Sequence, residues 1–557
     1  MTAPNFGGNY TALKNPDEKN IGFSRSNDDQ LRFKETAQDD FDIQNYKLPE
    51  VDYSNREKTF GLFRHLCQIY DHSVLFVIMF NYFNNGASSM VLMVIVNMYQ
   101  ENYFISPLYA QLHVAVIGFP VIFAFLFGLI SDSVPIMGSR KRSYLIIMSL
   151  LQISTCVTFI MVADTSVNVA TGMLAMNSLA MTWLDVIVDG MIVVEQRKDP
   201  VHGSADLQVF SYICLAMGGV IPNALAIPLS LKYGLSLCFV VPAFIGCLIL
   251  GAAIALSASS THEKQQILDM RFTERLRFNW RAIKQAVKIK PLMNTLIFYG
   301  AYVVLSPSYK DFLDYFYNFD PDLDACIEII VFISVLIVAI IYSEYLEEFP
   351  MRSLVRFGIG MLFLNSVFNI LLVMNITFGL SKFGFVCLQT LLFDASYQAF
   401  LYMPAYVSVA QMIPENIETS VFAILKSFEG LQVLVWGRIL GSILYYFSSP
   451  EGVQFDLAIG EGVTAGIALV MIFFAQILPR AEEIEAVQRT IFWHTIKCEE
   501  QFDRTRIDLN IEAKLGQFRL AESEVELTDE GNNFSQILPT DSYAIKQRSY
   551  INRKSAL

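Results

Sequence analysis

Two carboxylates four residues apart, Asp185 and Asp189, stand inside the apolar run TWLDVIVDGMIVVE, with Glu195 near its inner end. Four residues is about one helical turn, so both acids share a helix face. A charge at mid-membrane costs about 2.5–3.5 kcal/mol on insertion scales, so its retention points to function. Two like charges on one face in low dielectric cannot both stay ionised without help. Such a pair suits carrying a proton or gripping a cationic or N–H-donating ligand. The plainer alternative is a structural pin, each acid neutralised by Arg or Lys from a neighbouring helix. Both readings stay open for Asp189. Asp185, the deeper of the two, is assigned to function.

Other polar residues fall inside apolar runs. SPSYKDFLDYF carries Pro307, an i,i+4 pair of Lys310 and Asp314, and Asp311 pointing elsewhere. An interfacial cluster at the outer end accounts for Asp314 but not for Asp311. Asp394 stands between Gln389 and Gln398. Arg438, beside Trp436, is a deep base that wants an anion from a helix or a substrate. Lys426 and Glu429 read as an inner-end gate or snorkelling pair. NYFNNG places Asn81, Asn84 and Asn85 in one turn, more amides than packing needs, before Gly86. His113 reads as a core residue.

These residues must be held by membrane-spanning helices. The 557 residues are 54% hydrophobic and 17% charged, with mean hydropathy +0.42. A soluble chain of this length carries more charge. Twelve apolar runs, from Ser73 to Leu478, are long enough to cross about 30 Å of hydrocarbon. The expected plan is all-α. A polar tail with an amphipathic lead-in helix covers 1–70, with Phe60, Phe63, Leu66 and Tyr70 on one face along the inner membrane surface. Six-helix bundles span 71–257 and 291–480, joined by a basic amphipathic linker at 258–290. A polar tail covers 481–557. In the linker, Phe272, Leu276, Trp280, Ile283 and Val287 recur at helical spacing and mark a membrane-surface helix. The loops that put both termini in the cytosol carry fourteen Lys and Arg, and the opposite loops carry two.

Several classes are set aside. No signal peptide is expected, since the first apolar run begins near Ser73. The eight cysteines show no metal spacing, and no metal, cofactor or disulfide framework is expected. No basic stripe with interleaved aromatics lies outside 264–290, so nucleic acid is not expected as a partner. GxxxxGK[ST], HExxH and GxSxG are absent from the sequence, against a primary pump or an enzyme. The expected partners are a small-molecule substrate, a proton and the lipid bilayer. The plasma membrane is the expected location, an organelle membrane the alternative. A transport-dead receptor or assembly subunit of the same fold stays open.

Between the second and third runs lies GLISDSVPIMGSRKRSYL. A stop-transfer charge cluster accounts for the bases, but not for Gly128, Asp132 and Gly138 together. The loop resembles the signature loop of the major facilitator superfamily, where two six-helix halves rock against each other. The gating residues would be Asp132, Arg140 and Arg142, with Asp132 pairing across the inner helix ends. A weak repeat agrees: Ser131-Asp132 with Arg140, and Ser343-Glu344 with Arg352, have the same eight-residue spacing.

Together with DVIVDGMIVVE, GSADLQ (Gly203 to Gln208), PSYKDFLDYF and MPAYVSVAQMIPENIETSVFAIL, that loop resembles the folate-biopterin transporter family over roughly residues 70–480. Ser139 departs from the aromatic residue usual before the basic cluster. The resemblance implies a secondary active transporter of folate, pterin or a related metabolite, driven by protons. Some relatives carry other metabolites, so the substrate stays open. Gln208 is drawn in through its motif. A carboxylate accepts a pterin's amine and ring N–H as a bidentate pair, a role open to Asp185 or Asp394. Trp183, Phe83, Phe393 and Trp436 could stack on a flat ring, and Arg438 or Lys310 could hold a carboxylate tail.

Overall fold

Hydrocarbon offers no partners for backbone N–H and C=O groups, so each apolar run closes its own hydrogen bonds as helix. The computed structural model describes residues 60–162, 166–256, 272–305, 321–347, 349–440 and 453–492. Among these, helix fills all or part of each expected run. Eight helices are long and apolar enough, by length and composition, to cross a membrane. The full count of twelve spans remains an expectation, because the helices starting at Lys290 and Glu418 lead into residues outside the described set.

The first half contains α1 (Phe60–Ile69), α2 (His72–Glu101), α3 (Pro107–Gly118) and α4 (Ala124–Ser133). A 3₁₀ stretch at Phe119–Phe123, which holds Pro120, joins α3 to α4. There follow α5 (Arg142–Val162), α6 (Val167–Glu195), α7 (Gly203–Tyr233) and α8 (Val240–Ala255). The second half begins after α9 (Phe272–Ala286), with α10 (Lys290–Leu305), α11 (Pro321–Ile341) and α12 (Met351–Val373). Next come α13 (Lys382–Gln389), α14 (Ala395–Met412), α15 (Glu418–Leu431) and α16 (Val453–Phe474). π-helical segments join α13 to α14 at Thr390–Asp394 and extend α15 through Gln432–Leu440.

Within the first half α2 packs on α7 and α8, and α5 packs on α6 and α8. Within the second, α12 packs on α14 and α16. The halves meet where α7 lies against α11 and where α4 and α6 lie against α15. Glycine makes the second seam possible. A Cβ on Gly128 of α4 would stand 2.8 Å from the backbone oxygen of Thr419, and one on Gly190 of α6 would overlap the Thr419 side chain. Small residues let helices approach closely in a bilayer, where no hydrophobic force drives them together.

A contact shared by the two halves involves Arg352 of the weak repeat but, in the first half, Arg142 rather than the repeat's Arg140. Arg142 Nη2 donates to Ile254 O at 2.8 Å, and Arg352 Nε donates to Leu478 O at 2.7 Å. Each base thus closes the carbonyl end of the last helix of its own half, where a cation meets the negative end of the helix dipole.

Two surface helices each bury one face against the protein. On α1 the buried residues are Leu62, His65, Leu66 and Tyr70, while Phe63 is exposed. The helix docks on α7, with Phe63 edge-on to Phe210 at 5.8 Å. On α9 the stripe buried against protein is Arg275, Asn279, Ile283 and Ala286, while Phe272 and Trp280 of the expected membrane-facing stripe are exposed. There Asn279 Nδ2 donates to Ser133 Oγ at 3.0 Å.

Candidate functional site

A four-residue spacing on each of two helices builds the centre of the site. Asn81, Tyr82 and Asn85 on α2 meet Asp185 and Asp189 on α6. Asn81 Nδ2 donates to Asp185 Oδ1 at 3.4 Å, and Asn85 Nδ2 donates to the same oxygen. Tyr82 OH donates to Asp189 Oδ1 at 2.6 Å. Both acids are buried, each 4% exposed.

The second half completes the cluster. Lys426 Nζ of α15 lies 3.0 Å from Asp185 Oδ2 and 3.7 Å from Glu429 Oε2. Tyr406 OH of α14 donates to Glu429 Oε1, and Tyr402 OH donates to Gln432 Oε1 at 3.4 Å. Lys426 and Glu429 keep 30% and 26% of their side chains accessible, so they border a space between the halves. Among the described residues two carboxylates, Asp185 and Glu429, share one ammonium here, and a third, Asp189, is held by the Tyr82 hydroxyl. Such a cluster favours taking up a proton or a donor-rich ligand.

Sequence reasoning placed Lys426 near the inner end. It stands eight residues beyond the start of α15, about 12 Å up the helix at 1.5 Å per residue. Tyr82 and Tyr406 gave no signal, because tyrosine is common in apolar runs. Asn84 is tied elsewhere: it exchanges two hydrogen bonds with Gln152 of α5, at 3.2 and 2.9 Å. Gln152 also donates to Pro242 O at 3.2 Å, so this amide pair pins three helices. Trp183 is sandwiched between Phe127 at 4.6 Å and Tyr144 at 5.7 Å. Its faces are thus occupied by protein. Gln208 is 1% exposed and its Nε2 makes no hydrogen bond. Asp311 lies outside the described residues, as do Lys310 and Pro307. For Asp394 and Arg438 the backbone is π-helical and the side chains lie outside the described set.

A second polar cluster closes the side of the seam that carries the basic loops, the side expected to be the inner one. Asp132 Oδ2 accepts from Ser420 N at 2.8 Å and Ser420 Oγ at 2.6 Å. Ser420 is in the first turn of α15, so an acid of one half sits at the positive end of a helix of the other. Arg197 Nη1 bonds Glu418 at 2.9 Å, and Arg197 Nη2 donates to Ile413 O at 3.1 Å. Gln196 Nε2 donates to Ala410 O, and Gln488 Nε2 donates to Pro200 O at 2.7 Å. Arg142 turns to α8, as above. Ser131 Oγ donates to Arg140 O at 3.1 Å, and Lys141 Nζ donates to Gly190 O at 3.1 Å. Lys141, which sequence reasoning counted only as a topology charge, is the member of the triplet that spans to α6. Burial pulls its ammonium below the ordinary lysine range, opposed by Glu418 and Asp132.

Beside this gate His65 of α1 meets Asp199 at 3.5 Å and Asp206 at 3.9 Å, all three buried. Their ligand atoms lie within 4.8 Å of one another, a spacing that suits a polar pin or a cation. Asp199 Oδ1 also accepts from the N–H groups of Val201 and His202, each at 3.2 Å.

The fold has counterparts among known proteins. The proton:xylose symporter XylE, of the major facilitator superfamily, superposes with a TM-score of 0.51 at 14% identity over 75% of this chain and 97% of its own. A double-Trp XylE mutant gives 0.54 at 14% identity over 78% and 100%. The chain therefore has the major facilitator fold. The folate-biopterin transporter of Synechocystis sp. is 25% identical over 64% of this chain and 71% of its own length. A putative folate transporter 2 of Plasmodium berghei is 24% identical over 73% and 88%, and the probable folate-biopterin transporter 4 of Arabidopsis thaliana 22% over 73% and 95%. Family and fold are those of transporters, not enzymes, and the protein is an integral, multi-pass membrane protein. The BT1 family model matches residues 85–491, most of the chain and every residue of both clusters except Asn81, Tyr82 and the lead-in helix, so the chain belongs to the BT1 family.

Proposed function

We propose that this protein is a proton-coupled secondary transporter of a folate, a pterin or a related small organic metabolite, working by alternating access. The observation that carries the reading is the cluster at the seam, where Asp185 and Glu429 share Lys426 and Asp189 stands beside them on the Tyr82 hydroxyl. A pterin presents an amine and a ring N–H side by side, and a carboxylate released from Lys426 accepts both. Lys426 is then free to hold an anionic tail, with Asp311, Asp394 and Arg438 as further candidates. Tyr402 and Tyr406, stacked at 6.4 Å, supply an aromatic wall. Asp189, held by a hydroxyl rather than a base, is the better proton carrier of the two α6 acids. Protonation and substrate together loosen the contacts between the halves. The inner gate at Asp132, Arg140 and Arg142 then opens. The names of the relatives support the substrate class, and the fold supports the rocking motion.

The test is uptake of labelled folate and biopterin into vesicles holding the purified protein, with and without an inward proton gradient. Saturable uptake that rises with the gradient and collapses with an uncoupler is expected. Gradient-independent uptake would remove the coupling, and no uptake of either compound would leave the same-fold carrier of another metabolite or the transport-dead subunit.

A further inference from the structure

Helix α9 carries a feature that transport across the seam does not use. Arg277, Arg281 and Lys284 follow one another at four and three residues, and Lys288 continues the stripe just past the helix end. This spacing aligns all four on one face. All four are exposed, and they lie opposite the buried stripe of Arg275, Asn279, Ile283 and Ala286. Glu274 is the single acid in 272–290. The flanks of the basic stripe are aromatic: Phe278 is 42% and Trp280 44% exposed.

Neighbours fix the level of this helix. Asn279 bonds Ser133, the last residue of α4. The Trp280 ring lies 6.4 Å from that of Phe125, about two turns further up the same apolar helix. Trp280 is therefore turned toward the hydrocarbon, with Lys284 Nζ 5.7 Å from its ring. Trp at the headgroup level beside outward-facing Arg and Lys is the arrangement of an interfacial anchor.

We propose that the outer face of α9 binds the phosphate-bearing headgroups of anionic phospholipids in the cytosolic leaflet. Charge complementarity selects this occupant: four aligned bases face a surface of negative potential, and the flanking rings match the boundary between headgroups and acyl chains. Asn279 fastens this helix to Ser133, next to the gate acid Asp132, so bound lipid steadies the closed inner gate. The inference rests on the inner-side assignment and not on the identity of the transported substrate.

The test compares full-length protein in nanodiscs of phosphatidylcholine alone and with added phosphatidylglycerol, by thermal melting and by native mass spectrometry of retained lipid. The wild type is expected to melt several degrees higher in the anionic discs and to retain phosphatidylglycerol preferentially. The preference falls as salt screens it. The variant R277Q/R281Q/K284Q/K288Q should lose both effects, at about fivefold in preference per base removed. Lys382→Gln, on the opposite side, should keep them. Should the quadruple variant not fold, R277Q/R281Q and K284Q/K288Q are each expected to lose about half the melting gain. No preference in the wild type, or an undiminished one in these variants, overturns the proposal. The second outcome points to an acidic protein segment as the occupant of this face.

Discussion

Lys426 of α15 reaches across the seam between the halves and sets its ammonium 3.0 Å from the Asp185 carboxylate of α6. In the proposed alternating-access cycle, the pair joins two helices that separate on one side. Its environment is uneven: Asp185 is nearly sealed, whereas Lys426 keeps 30% of its side chain accessible.

That unevenness sets a stability pattern. Removing one partner of a fully buried pair costs about 3–5 kcal/mol, because the other charge is left alone. With Lys426 partly solvated, Lys426→Ala should cost less, about 2–3 kcal/mol. The double variant Asp185→Asn/Lys426→Ala, which leaves only the partly accessible Glu429 without its ammonium, should recover part of the lost melting temperature while transport stays absent. Melting curves of the four proteins in detergent give the coupling directly. A double variant as unstable as the sum of the singles contradicts the pair.

Asp132 and Ser420 give a kinetic prediction. In the proposed cycle, opening this side of the seam takes the carboxylate off the first turn of α15. Asp132→Asn weakens that capping without adding bulk. Expression and ligand binding should stay near wild type, turnover should fall several-fold, and cysteines introduced on the inner seam should react faster with a thiol reagent. Unchanged turnover and labelling would mean that GLISDSVPIMGSRKRSYL is a topology signal only.

Hydropathy made the helices legible, because a run that must cross hydrocarbon announces itself by length. Asp185 and Asp189 were legible for the same reason, since a charge inside such a run is costly. Partners were not. Asp132 could be read as a gating acid, but its partner is a backbone N–H and hydroxyl 288 residues away. Lys426 was visible as an intramembrane base, yet its depth depended on where α15 begins, at Glu418, after a short polar loop. Asn84 and Asn85 looked alike, adjacent in one turn. The helix turns them toward different neighbours, Gln152 for one and Asp185 for the other.

Glu418 yields a prediction about pH. Its burial opposes ionisation, but Arg197 and Lys141 outweigh it and hold the carboxyl below the ordinary glutamate range. A depressed value means that the clamp's contribution is complete above the ordinary glutamate value of about 4.3 and is lost as pH falls through the lowered one. Over about pH 5.5 to 7.5 this clamp therefore does not titrate. Glu418→Gln should lower the uptake rate by loosening the inner seam, while the midpoint of the pH profile stays in place. A midpoint moved by about one unit would make Glu418 part of the coupling machinery.

The proposed proton coupling can be tested separately at Asp189 and Tyr82. Asp189 has a hydroxyl donor at 2.6 Å, and the one base at the cluster among the described residues lies against Asp185. A carboxyl in that position can lose its proton to water when the space between the halves opens and regain it from the other side. Asp189→Asn keeps the volume and the hydrogen bond from Tyr82 but cannot ionise. Accumulation against a gradient should be abolished, while exchange of labelled for unlabelled substrate persists, because exchange moves no net proton. Tyr82→Phe removes only the donor, so it should shift the pH midpoint of uptake and leave accumulation possible. Counterflow and gradient-driven uptake, measured on the same vesicles, separate the two variants. If Asp189→Asn still accumulates substrate and Asp185→Asn does not, the proton rides on Asp185, and the ion pair with Lys426 is the element that protonation breaks.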